Sequence, residues 1–277
     1  MAKRPAPSRP ATKAPAPVGR RLRPVERLTG ALRWLWRWTR RALAAALLIS
    51  VLQVLLVRFV NPPFTVTMLE RVWQQHEQSG RWLWVDYRPR YSDQLGEGVA
   101  RAAVAAEDAR FWHHHGFDLE GICRALRRNQ RAGDAVAGGS TISQQVARNV
   151  FLWQERSWLR KGLEAWYTAL LELIVPKRRI LELYLNVAET GPMRFGVEAG
   201  ARHHFGEAAR ALDADQAARL VALLPNPRRW RTDEPQVKKR AAKAIQSPVA
   251  FPGDAGFAAA AAEHDAEPLI SPACRGR

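Results

Sequence analysis

Sixteen consecutive residues, Ala42–Val57 (ALAAALLISVLQVLLV), carry no charge, and the stretch reaches 19 residues if it runs past Arg58 to Val60. At a rise of ~1.5 Å per residue, 42–60 spans roughly 28 Å, close to the ~30 Å hydrocarbon core of a bilayer. Arg58 sits near the end of the run, where its stem can snorkel to the headgroups. At the other end Trp34, Trp36 and Trp38 alternate with Arg33, Arg37, Arg40 and Arg41, as an interfacial aromatic and basic belt does. A cleaved signal peptide has a far shorter leading region and a small-residue cleavage site, whereas Arg58-Phe-Val-Asn-Pro-Pro follows here. A buried core helix is the plainer alternative, and the flanking charge argues against it. Residues 42–60 therefore read as one uncleaved transmembrane helix.

The chain has 277 residues and a formal charge of +17, and most of that excess precedes the apolar run. Residues 1–41 hold 12 Lys and Arg against a single acid, Glu26. Positive charge stays on the cytoplasmic side, so the expected orientation is a cytoplasmic N-terminus with the remainder beyond the bacterial cytoplasmic membrane. Such a tail would attract anionic membrane lipids. Basicity confined to a tail, with no aromatic-interleaved fold behind it, disfavours nucleic acid as a partner. Cys123 and Cys274 offer no paired Cys/His spacing for structural zinc.

Residues 1–41 form a basic tail whose Pro- and Ala-rich composition points to disorder, and 247–277, with Pro, Gly and the run Ala258–Ala262, also reads as a disordered tail. Between the membrane segment and that tail, 61–246 is the size of one domain. It is mainly α. Leu95–Trp112 has apolar spacing near 3.6, and Asp118, Ser140 or Thr141, Ser157 and Asp213 stand where helices need caps. Pro176 suits the first turn of another helix. Trp82–Tyr87 gives a weak strand signal.

Glu107-Asp108 closes the apolar helix. A carboxylate there, beside a second one, is placed for a raised pKa, which a general base wants; a solvated acidic pair is the bland alternative. His113-His114-His115 invites a metal, but adjacent side chains diverge, which favours a hydrogen-bonding role. Gly138-Gly-Ser-Thr-Ile-Ser-Gln-Gln145 is a glycine turn entering a polar helix start, with free N–H groups and hydroxyls suited to an anion. Arg148 follows on that helix and Arg156, Arg160 and Lys161 come soon after, a set able to hold a polyanion such as pyrophosphate. Glu164 lies one helical turn beyond Arg160 and Lys161, either as an ion pair or as the second carboxylate of a site. Lys177-Arg-Arg179 reads as a solvated charge run.

Four segments occur in order: Glu107-Asp108-x-x-Phe111-x-x-His114-x-Gly116-x-Asp118; Gly139-Ser-Thr-Ile-Ser-Gln-Gln145-x-x-Arg148-Asn149; Arg160-Lys161-x-x-Glu164; and Lys177-x-x-Ile180-Leu-Glu-x-Tyr184-Leu-Asn186. Together they resemble glycosyltransferase family 51, the peptidoglycan glycosyltransferases, over about Leu95 to Trp230. No S-x-x-K or K-T-G accompanies them, so the likeness is to the monofunctional branch without a penicillin-binding domain. The resemblance implies a lysozyme-like catalytic lobe with a small membrane-proximal lobe. It also implies polymerisation of lipid II into β-1,4-linked glycan, with loss of undecaprenyl pyrophosphate and inversion.

By the family's pattern Glu107 is the general base and Glu164 assists at the donor pyrophosphate, with a divalent cation (Mg or Mn) a candidate at Glu164. Arg124, Arg148 and Arg156 would neutralise the leaving group, and Asp108, Ser140, Thr141, Gln145, Asn149 and Lys161 would shape the cleft. Partners implied are lipid II, the nascent glycan chain and other proteins of wall synthesis. Departures are mild: Ser143, Val146 and Arg148 stand where Thr, Leu and Lys are usual, and His203-His204-Phe205 replaces an aromatic pair. Apolar Phe151-Leu-Trp153 reads either as a membrane-dipping loop or as core. Two competing functions are a lysozyme-like hydrolase using Glu107 as an acid and a catalytically idle membrane-anchored scaffold.

Overall fold

A computed structural model describes residues 24–132, 139–247 and 249–254. Helix α1 runs Pro24–Phe59, and its stretch Leu32–Phe59 is long and apolar enough to cross a membrane. The helix therefore begins well before Ala42, and residues 24–41 are helical where a disordered tail was expected. Leu, Trp and Arg are good to fair helix formers, and Gly30 alone interrupts them. The part up to Ile49 separates from a second compact unit that begins at Ser50. Within that second unit, Val54 and Val57 of α1 are buried in the main core. Arg58, expected to reach headgroups, instead donates to the Ile174 carbonyl at 2.5 Å.

Helix α2 (Val66–Ser79) starts at Thr65, whose hydroxyl accepts from Met68 N, and stops at Gly80 in a left-handed conformation. After it come strand β1 (Asp86–Tyr87), the single turn α3 (Ser92–Leu95), and α4 (Glu97–Glu107). Only the last two residues of the expected Trp82–Tyr87 strand pair. The expected helix to Trp112 breaks at Asp108, whose φ of −157° takes the chain out before a 3-10 turn at Phe111–His113. Helices α5 (Leu119–Ala132), α6 (Ile142–Phe151), α7 (Trp158–Ile174) and α8 (Lys177–Val187) follow. The hairpin β2 (Glu189–Gly191) and β3 (Arg194–Phe195) leads to α9 (Val197–His204), α10 (Ala214–Ala222) and α11 (Pro235–Gln246).

The caps read from sequence hold. Thr141 and Asp213 each close a reciprocal capping box with the Gln three residues on, and Ser157 accepts from Arg160 N. The fold is mainly α, as expected, with two cores of unequal size. The large one gathers α4, α6, α7, α8, α10 and α11 around Ile142, Leu171, Leu183, Tyr184 and Leu220. A small one joins Met68, Val72, Val85 and Phe195, beneath a sheet in which β1 pairs parallel and β2 antiparallel with β3.

Two segments differ from their sequence reading, and a third falls partly to one of its two readings. Lys177 and Arg179 are not a solvated run: Lys177 pairs with Glu172 and lies over the Phe111 ring, while Arg179 binds Val57 O, Asn61 and Glu182. Phe151 stacks on Tyr167 and packs against the main core, and Leu152 is buried, while Trp153 is only partly so. Order also continues past 247, because Val249 and Phe251 pack on the core and Asp254 pairs with Arg101. The tail segments 1–23 and 255–277 lie outside the described residues.

Candidate active site

Asp108 is where the first two sequence motifs meet. Having left α4, it accepts the Ile142 N–H at the start of α6 (2.9 Å) through Oδ2 and is bound by His114 Nε2 (2.9 Å to Oδ1). Gly116 N donates to His114 Nδ1 at 3.1 Å. With Nδ1 accepting, the ring proton belongs on Nε2, which donates to Asp108. Thr141 caps α6 and also donates to the Gly116 carbonyl at 2.7 Å. Asp108 and Thr141, expected among the substrate-binding groups, thus have their polar atoms engaged inside the protein and brace the loop to the helix. His114 takes the hydrogen-bonding role expected of it.

That bracing fixes Glu107. Its side chain is 13% exposed; Oε2 accepts from Gln145 Nε2 at 3.2 Å and Oε1 from Arg240 Nη2 at 3.3 Å. Burial pushes the Glu107 carboxyl above its ordinary value, and neighbouring Asp108 adds to this; Gln145, Arg240 and Arg148 oppose it. Glu107, Asp108, Asp118, Ser140 and Thr141 line a hollow of about 100 Å³. Gln145, the residue that holds Glu107, also lines a polar cavity of about 190 Å³ with Arg148, Asn149, Arg71, Tyr184 and Glu189.

The ten-residue helix α6 therefore contacts the buried carboxylate and, one turn further on, supplies a cation to the adjoining cleft. Burial pulls the Arg148 guanidinium below its ordinary value, while the charge of Glu164 supports it. Three polar atoms at this cleft are buried and have no partner among the described residues: Arg148 Nε, the Tyr184 hydroxyl and Glu189 Oε1. Asn149 is half satisfied, its Oδ1 accepting from Gln154 at 3.3 Å.

Glu164 is 1% exposed and is held by Arg160 Nη1 at 2.6 Å and by Lys161 Nζ. Two side-chain cations occupy its two oxygens, which is a poor start for a metal ligand. Among the described residues no group of three His, Cys, Asp or Glu could hold a metal ion. The residues do not fit a divalent cation at Glu164. Arg156 is exposed and near enough to Arg148 to repel it. The Arg124 side chain lies outside the described residues.

Sequence reasoning missed three groups. Tyr184 sits in the fourth motif, where its reading as an amphipathic helix position hid its hydroxyl. Glu189 pairs with Arg71 of α2 at 3.1 Å, a partner 118 residues away. Arg240 lies on α11, a segment for which the sequence reading proposed no element or role.

Comparison with known proteins identifies the family of the chain. A family model described as "Transglycosylase" matches residues 75–249. The chain is 51% identical over 199 residues to the biosynthetic peptidoglycan transglycosylase of Stutzerimonas stutzeri, covering 70% of this chain and 80% of that protein. It is 48% identical over 208 residues to the protein of the same name in Xylella fastidiosa strain M23, covering 72% and 83%. With that of Xanthomonas campestris pv. campestris strain B100 it shares 47% identity over 216 residues, covering 77% and 85%.

Proposed function

The chain belongs to the transglycosylase family, and on that premise we propose that its buried Glu107 is the general base of glycan polymerisation. The activity is that of a monofunctional peptidoglycan transglycosylase, which joins lipid II units into glycan strands for the cell wall. One observation carries the residue assignment. Glu107 is a desolvated carboxylate whose pKa is raised, and it is hydrogen-bonded to a helix that presents an arginine to the neighbouring polar cleft.

The acceptor's 4-hydroxyl gives its proton to Glu107 as its oxygen forms a bond to the donor's C1. The C1–O bond to the pyrophosphate breaks, and its electron pair leaves with the phosphate. Arg148, with Arg156 nearby, meets that growing negative charge, and Arg148 Nε is a buried donor without a partner among the described residues. Gln145, Asn149 and Ser140 complete the walls, and Tyr184 adds an unpaired hydroxyl. Arg124 keeps its place beside the leaving group on the motif alone. Glu164, enclosed by Arg160 and Lys161, orients those cations rather than a metal.

The apolar helix anchors the protein in a membrane. The charge before it supports a cytoplasmic N-terminus and an extracytoplasmic domain, with anionic lipids against the tail and other wall-synthesis proteins as partners.

The test is gel separation of products after full-length protein in detergent meets fluorescent lipid II, with Glu107→Gln alongside. The expected result is a ladder of glycan chains from wild type and intact lipid II from the variant. A ladder from the variant dismisses the base, and shortening of preformed glycan by wild type favours the hydrolase.

A further inference from the structure

The two oxygens of Glu107 are held by elements far apart in sequence, Oε2 by Gln145 of α6 and Oε1 by Arg240 of α11. The second contact joins residues 133 positions apart. Helix α11 carries Lys238, Lys239, Arg240 and Lys243; the three lysines are exposed, while Arg240 is only partly so and turns inward to Glu107. Val237, Ala241 and Ala244 are buried, and Arg240 borders the face they form, one turn from Val237 and from Ala244, so the guanidinium projects from a fixed base. We infer that Arg240 is a positioning residue for the reaction, fixing the Glu107 carboxylate in place and in its anionic form while the acceptor hydroxyl approaches.

The charges facing Glu107 give the reason. Asp108, its neighbour at the end of α4, disfavours the anion, as does burial, and the Tyr184 hydroxyl of α8 is neutral. Two cations act the other way, Arg148 of α6 and Arg240 of α11. Arg148 lines the cleft proposed for the donor pyrophosphate. Once a pyrophosphate is bound, its negative charge cancels the help that Arg148 gives to Glu107. Arg240, on a different helix, then remains as the cation that keeps the base ionised. Its own proton never moves; the acceptor's proton goes to Glu107 and later to solvent.

This inference rests on Glu107 being the base, and the experiment separates the two. Initial rates of lipid II polymerisation are measured from about pH 5 to 9 for full-length wild type, Arg240→Gln, Arg240→Lys and Glu107→Gln, with thermal unfolding of each. In Arg240→Gln the acid limb of kcat/KM should move up by about one pH unit, a roughly tenfold loss on that limb, with little change in Tm. Arg240→Lys should keep the limb near its wild-type place and lose part of kcat through its shorter, looser contact. Should Arg240→Gln fail to fold, the lysine variant carries the test, and wild-type kcat there overturns the inference. An unmoved limb in a folded Arg240→Gln also overturns it, as does a uniform loss across pH with a raised KM, which would mark a substrate contact. Full activity in Glu107→Gln instead removes the base assignment itself.

Discussion

Replacing Asp108 by Asn tests whether this residue braces the site or binds substrate. Asp108 is 6% exposed and accepts from two donors, Ile142 N at 2.9 Å and His114 Nε2 at 2.9 Å. An amide has one oxygen, so whichever way it turns, its NH₂ faces another donor. Turning the imidazole over to its other tautomer does not help, because a proton on Nδ1 would then meet the Gly116 N–H that now donates to it at 3.1 Å. One buried donor left without an acceptor costs about 1–3 kcal/mol. Loss of the negative charge at the start of α6 removes about 0.3–1 kcal/mol more. Together these give about 1–4 kcal/mol, and at ~2–4 °C per kcal/mol for a domain of this size the midpoint should fall by about 3–16 °C. Thermal unfolding of the detergent-solubilised chain, followed by tryptophan fluorescence, reads this directly. A variant that melts within about 2 °C of wild type but no longer polymerises would refute the bracing argument and make Asp108 a substrate contact.

Glu107→Gln should melt no lower than wild type at neutral pH. A carboxyl whose folded pKa is raised lends stability only at low pH, and that contribution is lost as pH rises through the folded value. Any gain from the glutamine should therefore fade as pH falls into the ordinary carboxylate range, which melting curves at several pH values will show. For the same reason the acid limb of wild-type kcat/KM should lie above that range. Gly116→Ala should destabilise by about 2–4 kcal/mol, since φ is +85° and a Cβ would meet Thr168 Cγ2 at 2.7 Å; denaturant titration checks it. Phe251→Ala should cost about 1–2 kcal/mol through lost contact with Trp112, whose ring centroid lies 5.0 Å away, and with Arg101 above its face. An unchanged midpoint would mean that the packing of residues 249–254 adds nothing.

Local signals were the legible ones. Thr141 with Gln144 and Asp213 with Gln216 announce helix starts because each cap is satisfied within four residues. Glu107 and Gln145 could be named as site residues for their chemistry, but nothing local says they touch. The hairpin Glu189–Phe195 escaped because strands of two and three residues are too short to show alternation. Lys177 and Arg179 look solvent-bound until Glu172, Glu182 and the end of α1 are folded against them. Arg240 is the extreme case, a surface-like cation whose partner lies 133 residues back. Asp108 shows another limit: its carboxylate suits substrate as well as it suits a helix start, and nothing local in the sequence says that Ile142 N and His114 are its neighbours.

The last turns of α1 bear on how a soluble form of this enzyme should be cut. Hydropathy places the boundary after Phe59, where the apolar run ends. Yet Val54 is fully buried and Val57 nearly so, Ser50 Oγ accepts from Trp166 Nε1 at 3.1 Å, and Gln53 accepts from the Tyr167 hydroxyl at 2.7 Å. A cut after Phe59 would take the keystone along with the rope: it leaves a trough along α7 lined by core side chains and two aromatic donors. The cut that spares the fold lies before Ser50, and the ten residues it retains belong to the domain although their composition assigns them to the bilayer.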